Sequence, residues 1–258
     1  MNDLIEKLMD KIQRHCAPVF VNSTIEAPPS SVLDNGSCGF FDTGSRKLLI
    51  TAQHVIQSFR DAKSDHPEAV FAINVGPGNT IALQELNVID EDRQFLDIAI
   101  LDFPDLDSCG QPCSKQYFPI QEFPCVLPVA GDALSLVGYP GFLRKANELV
   151  GSFGPVSLAL SISSVSERTI VLADEKGDRR LEGKDVEGLS ELPLGGFSGS
   201  PGYVLRRDGV YLAGFLRAGS KSVDQVPFSL PGVVFLSPAH YLLADGRMDR
   251  TRMPWLLA

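Results

Sequence analysis

Apolar residues in this chain come mostly in short runs broken by Gly, Pro, Asp and Ser, and one run alternates strictly. Val156, Leu158, Leu160 and Ile162 are interleaved with Ser157, Ala159, Ser161 and Ser163, a period of two that predicts a strand with one buried face. APVFV (17–21), CGFF (38–41), KLLIT (47–51), AVFAINV (69–75), TIAL (80–83), ALSLVG (133–138), TIVLA (169–173), GYVL (202–205), VYLAGFL (210–216) and GVVFL (232–236) read as further strands. AVFAINV and TIAL flank GPGN and form a predicted hairpin. Leu96, Ile98 and Ile100 alternate with Asp97, Ala99 and Leu101, another strand. Helical periodicity is confined to the ends. Leu4, Ile5, Leu8, Met9 and Ile12 share one helical face, with Asp3 and Glu6 at capping-box-like spacing. PAHYLLADG predicts a short C-terminal helix ended by Gly246.

Residues 104–130 carry Pro104, Pro112, Pro119, Pro124 and Pro128. Proline removes a ladder donor, so this stretch is a connector rather than a central strand. The expected layout is an N-terminal helix (1–16), a first β-barrel (17–103), the Pro-rich connector (104–130) and a second β-barrel with a closing helix (131–258). The segment 174–191 is charged and expected at the surface. Many short strands with few helices predict an all-β double barrel.

Composition narrows the function classes. With 258 residues the chain can bury a large core in one domain or two tightly joined halves. Its net charge of −9 leaves no broad basic face for a nucleic-acid backbone or an anionic membrane. No apolar run approaches the ~20 residues of a membrane span. Charges at 3, 6, 7, 10 and 11 interrupt any signal-like core, so a cytoplasmic location is expected. Five cysteines (16, 38, 109, 113 and 125) are an odd count suited to a reducing compartment. Cys109 and Cys113 in CGQPC lack a second pair to complete a zinc site, and no metal is expected.

Three segments carry candidate chemistry. In LLITAQHVI (48–56) a strand runs into a turn with His54 just beyond it, and an imidazole can take a proton near neutral pH. In FLDIAIL (95–101) a single carboxylate, Asp97, interrupts an apolar run and wants a partner such as an imidazole N–H. In LGGFSGSPGY (194–203) glycines around Ser198 let successive N–H groups point into one space, where those of Gly196 and Ser198 can hold an oxyanion. Each segment alone has a plainer reading: an exposed histidine, an edge-strand aspartate, a flexible loop.

Taken together, TAQHV, DIAIL and GFSGSP, in that order, resemble the motifs of the trypsin/chymotrypsin superfamily. The resemblance is to its bacterial branch, the glutamyl-endopeptidase-like and Deg-type peptidases. It extends to Gly138-Tyr139-Pro140 and to AGFLRAG (213–219). It implies two six-stranded antiparallel barrels and a serine endopeptidase acting on a protein or peptide through an acyl-enzyme, without cofactor. His54 matches the general base, Asp97 the orienting carboxylate and Ser198 the nucleophile. The primary pocket is then expected to be lined by Leu192, Arg217, Ala218, Gly219 and Val234. Leu192 stands near where members specific for basic residues carry Asp, so a small or apolar P1 residue is expected, with Arg217 offering an alternative site for an acidic group.

The sequence also departs from that family. Val55 follows His54 where animal digestive members carry Cys, and Phe197 occupies a position usually Asp or Asn. In activated zymogens that Asp pairs with a new N-terminus, so Phe197 removes the trigger. Two rival readings follow: a catalytically silent or partner-activated binding module of the same fold, favoured by Phe197, and an α/β-hydrolase esterase. The latter needs a helix after the nucleophile and a downstream pair such as Asp208 or Asp224 with His240.

Overall fold

A computed structural model describes residues 9–26, 31–108, 113–146, 151–173, 180–181, 184–185, 195–217, 233–253 and 255. The first half is a sheet built from β1 (Cys16–Asn22), β2 (Asp34–Asp42), β3 (Lys47–Thr51), β4 (Val70–Gly76), β5 (Asn79–Leu83), β6 (Val88–Asp92) and β7 (Ile98–Asp102). Their order is β5-β4-β1-β2-β3-β7-β6, antiparallel throughout, and the short β8 (Phe118–Pro119) adds to β2 in parallel. The second half contains β9 (Ala133–Gly138), the hairpin β10 (Arg144–Ala146) with β11 (Gly151–Phe153), β12 (Val156–Val165) and β13 (Ile170–Ala173). A two-residue pair, β14 (Arg180–Leu181) with β15 (Lys184–Asp185), precedes β16 (Pro201–Arg206), β17 (Gly209–Leu216) and β18 (Val233–Pro238). Six of these close into a barrel in the order β12-β13-β18-β17-β16-β9.

The strand sequences explain the arrangement. KLLIT is a continuous apolar run because both faces of β3 are buried. Leu49 enters the first half's own core with Phe40, Val55, Phe71 and Leu101, while Leu48 and Ile50 face the other half. β7 does the same, with Ala99 and Leu101 inward and Ile98 and Ile100 outward. On the opposite side, Leu134, Leu136 and Val204 fill the closed barrel, while Val137, Tyr203 and Phe215 turn toward the first half. A third apolar core thus lies between the halves and welds them. β12 lies away from it, and only its Val156, Leu158, Leu160 and Ile162 are buried, as the period of two requires.

The all-β architecture of the chymotrypsin type matches expectation, with four corrections. The first half has seven strands in its path rather than six, and among the described residues no ladder joins β5 to β6. A helix over Gln53–Asp65 follows β3, where only a turn was expected. Its Val55, Ile56 and Phe59 are buried at i, i+1 and i+4, the spacing of an amphipathic face. At the N-terminus, helix is found over 9–13 and gives way to β1 at Cys16. The C-terminal helix is replaced by 3₁₀ turns at Ala239–Tyr241 and Arg250–Arg252, with an isolated bridge between Leu242 and Met248.

The connector lies along the first half rather than spanning open space. Gln116 N donates to Arg14 O at 2.8 Å, Ser114 N to Val75 O at 2.8 Å and Ile120 N to Asp42 O at 2.8 Å. The C-terminal segment crosses back in the same direction. The Arg250 guanidinium donates to both oxygens of Asp90 at 2.7 Å, and Met248 N to Asp90 Oδ2 at 2.9 Å. This bidentate geometry ties the tail to β6.

His240 sits in that tail, 7% exposed, against the Tyr241 ring at a centroid distance of 3.9 Å. Burial, and then the Arg252 charge, pull its pKa down to about 4. Its folded value therefore lies below the unfolded one of about 6.5. Between those values the unfolded chain binds a proton that the native state excludes, so stability falls as pH drops through the window. His15, lowered mainly by burial, adds in the same direction. Thermal midpoints measured from about pH 7 to about pH 4 should decline, and His240→Phe should make the decline shallower. An unchanged slope in the variant would place the proton uptake elsewhere.

Candidate active site

Asp97 and His54 form the most defined polar pair at the junction of the halves. His54 lies in the first turn of the helix Gln53–Asp65, whose cap residue Ala52 offers no side-chain acceptor. Asp97 supplies one from the end of the turn before β7: its Oδ1 accepts from His54 N at 2.9 Å, and its Oδ2 lies 2.7 Å from His54 Nδ1. A helix N-terminus presents unpaired N–H groups and favours negative charge, so the carboxylate is held twice over. An ionised carboxylate only accepts, which places the proton on Nδ1 and leaves Nε2 with a free lone pair. The Asp97 side chain is 18% exposed and the imidazole 41%, so the ring's far edge faces solvent.

The loop that carries Ser198 is tied to β2 and β17. Ser37 N donates to Ser198 O at 2.8 Å, and Gly199 N to Leu216 O at 2.9 Å. Gly199 has φ +85, and a Cβ there would stand 2.4 Å from Ser37 O and 2.6 Å from Ala52 N. Only glycine allows the Ser198 loop to press against the turn that leads into His54. On the other side, a Cβ on Gly36 would stand 2.8 Å from Val55 Cγ2 and 3.2 Å from Ser198 O. The residues flanking His54 in sequence are thus in contact with the loop around Ser198 and with the strand beneath it.

The loop's carbonyls all point into the protein. Gly195 O accepts from Gly141 N at 2.8 Å, Gly196 O from Ser37 Oγ at 2.8 Å and Phe197 O from Ser200 N at 2.9 Å. In a trans peptide the N–H of the next residue points opposite to the carbonyl. The N–H groups of Gly196 and Ser198 are therefore directed away from those partners. They are the two donors expected from the sequence to hold an oxyanion.

Phe197 is fully buried in the core of the closed barrel, with Leu136, Val156, Val204 and Leu236. A Cβ on Gly138 would meet Phe197 Cδ1 at 2.5 Å and Ser200 Oγ at 2.1 Å, so Gly138 makes the space for this ring. An apolar anchor therefore fixes the loop from inside the barrel.

Of the residues expected to line a pocket, Leu192, Ala218 and Gly219 lie outside the described residues. Val234 is 1% exposed and packs inside the closed barrel, so its side chain belongs to the core. Arg217 is turned to the seam: Nη1 donates to Phe95 O and Nη2 to Thr169 Oγ1 at 2.8 Å. Burial pushes its guanidinium pKa down, opposed by the charges of Asp97 and Asp92. The esterase arrangement fails on the fold, because strand β16 rather than a helix follows Ser198. Sequence reading missed Ser37 and Gly36, whose roles come from contacts across the fold rather than from any local pattern, and named Gly138 only as part of Gly138-Tyr139-Pro140.

No family model matches the chain, and no curated protein does. Among solved structures it is similar to the thermostable serine protease AL20 from an extremophilic microorganism, at 16% identity over 87% of this chain and 91% of that one, TM-score 0.48. It is also similar to a structure concerned with the coupled folding and binding of the intrinsically disordered Sesbania mosaic virus VPg protein (13% identity, 87% and 86% covered, TM-score 0.47) and to HBP (10%, 95% and 91%, TM-score 0.49). The chymotrypsin-type assignment rests on the strand order and the closed barrel.

If Phe197 anchors the loop, Phe197→Ala should lower stability by about 3–5 kcal/mol, the range for a buried aromatic ring. Urea unfolding measures it, and a loss below about 1 kcal/mol would mean that the ring is dispensable.

Proposed function

We propose that this chain is a serine endopeptidase using His54, Asp97 and Ser198. One observation carries the reading: the Asp97 carboxylate holds His54 twice, at its backbone N–H (2.9 Å) and at its ring Nδ1 (2.7 Å), with Nε2 left as a base. A pair of this kind, with a serine whose loop leaves the N–H groups of Gly196 and Ser198 directed away from the partners of the loop carbonyls, suits acyl transfer. Ser198 Oγ attacks the scissile carbonyl as His54 Nε2 takes its proton. The N–H groups of Gly196 and Ser198 receive the developing oxyanion, and His54 returns the proton to the leaving amine. Water then attacks the acyl-enzyme by the same proton path in reverse.

The substrate is a protein or peptide with a small or apolar P1 residue. The commitment of the Arg217 guanidinium to Phe95 O and Thr169 Oγ1 supports this over an acidic P1 residue. Digestion of a mixed peptide library should give cuts after Ala, Val or Leu; cuts confined to Glu or Asp would reverse the assignment. A reducing, cytoplasmic setting is supported by the free thiols of Cys16, Cys38, Cys113 and Cys125.

The wild type should take up a fluorophosphonate probe, and Ser198→Ala should not, while retaining its circular dichroism spectrum. Undiminished labelling of that variant would exclude Ser198 as nucleophile. Asp97→Asn should lower turnover by about 10⁴-fold, the loss when the imidazole adopts the wrong tautomer. A near-normal rate in steady-state peptide cleavage would remove Asp97 from the mechanism.

A further inference from the structure

Asp97 is the only non-glycine among the described residues with positive φ, at 50°. Such backbone is uncommon for a residue with a Cβ and persists where the surroundings impose it. Three elements impose it here. Asp92 Oδ1 accepts from Phe95 N at 2.7 Å and Leu96 N at 2.8 Å, which folds the turn. The next three carbonyls are then each held by a different donor: Phe95 O by Arg217 Nη1, Leu96 O by Ser237 Oγ, and Asp97 O by Gln53 N at 3.2 Å. Two of those donors, Arg217 and Ser237, belong to the second half of the molecule.

We propose that Arg217 is a positioning residue for the reaction, clamping the turn that carries Asp97 to the closed barrel; the functional consequence rests on the peptidase reading above. Arg217 differs from the other two donors in being a planar, charged fork. One arm reaches Phe95 O, and the other is braced on Thr169 Oγ1 at the far side of the seam. Its own backbone is fixed by Arg217 N donating to Phe235 O at 3.1 Å. The Phe95 ring is enclosed from the same side, by the Arg168 guanidinium at 5.0 Å and by Trp255 at 6.3 Å. The planes on either side of Asp97, held by Ser237 and Gln53, set its φ, and Arg217 fixes the plane that leads into them, so that the run of planes decides where the carboxylate points. Catalytic groups tolerate displacements of only a fraction of an ångström. Arg217 thus acts through Asp97, with no contact to substrate, and makes the site's geometry depend on the docking of the two halves.

The test uses the full-length chain. The His54 Nδ1 proton, held against a carboxylate oxygen at 2.7 Å, gives a low-field ¹H resonance, assigned by its loss in Asp97→Asn. In Arg217→Met that resonance should move upfield or broaden away, and fluorophosphonate labelling should slow by about tenfold or more. The thermal midpoint and methyl spectrum should stay native-like. Arg217→Lys keeps the charge but loses the fork and should recover only part of the rate. Thr169→Val removes the brace alone, and it carries the test if Arg217→Met does not fold; its resonance should shift and its labelling slow. A wild-type resonance and rate in Arg217→Met, or in Thr169→Val where that variant stands in, would overturn the clamp. A wild type that shows the resonance, loses it in Arg217→Met and takes up no probe would uphold the clamp while removing the peptidase reading.

Discussion

The apolar seam between the two halves is the constraint on which the site depends. Leu48, Ile50, Ile98 and Ile100 meet Val137, Tyr203 and Phe215 across it, each 3% exposed or less apart from Ile98 at 4%. Burial of this kind is non-directional and holds surfaces together without choosing a geometry. Geometry comes from the few polar groups at its edge. Ser37, on β2, links the Ser198 loop to the first half through both its backbone N–H and its hydroxyl. The same hydroxyl accepts from Tyr139 N at 2.9 Å, so one residue joins three segments. The seam provides proximity, and its polar rim provides register.

The loop that carries Ser198 shows how one structural problem can have a different solution from the one its family resemblance suggests. A carboxylate at position 197 needs a cation to balance its burial. Phe197 needs only volume, which Gly138 leaves open beside it. An apolar anchor costs no desolvation of charge and requires no partner from another segment. The loop is then held by packing inside the closed barrel.

Much of this was legible in the sequence. The three candidate residues stand out because each interrupts or ends a strand pattern: Asp97 inside an apolar run, His54 after KLLIT, Ser198 among glycines before GYVL. Strand positions were readable from runs and alternation because burial on one or two faces leaves that trace. The helix that contains His54 was missed because the residues after KLLIT were read as a turn, although Val55, Ile56 and Phe59 carry its period. The closing segment misled in the opposite way. His240, Tyr241 and Leu242 have helical spacing, yet their burial follows from packing across the seam and on Trp255, which a 3₁₀ turn and an extended tail accomplish. Arg217 misled because its place in sequence suggests a pocket, whereas its side-chain direction is a tertiary fact.

Strain at Asp97 and support from Arg217, Ser237 and Gln53 belong to one argument. A left-handed aspartate costs of order 1 kcal/mol, and an unpaired buried carbonyl costs about as much or more. Had the turn been free to relax, Asp97 would have adopted extended backbone and its carboxylate would have left the imidazole. The second half prevents this by supplying donors to carbonyls that no strand ladder reaches. The pair at the centre of the site is therefore local in its bonds, since His54 and Asp97 both come from the first half, yet non-local in its cause. The turn that carries the aspartate thus takes its donors from both halves, which ties the conformation of Asp97 to their docking.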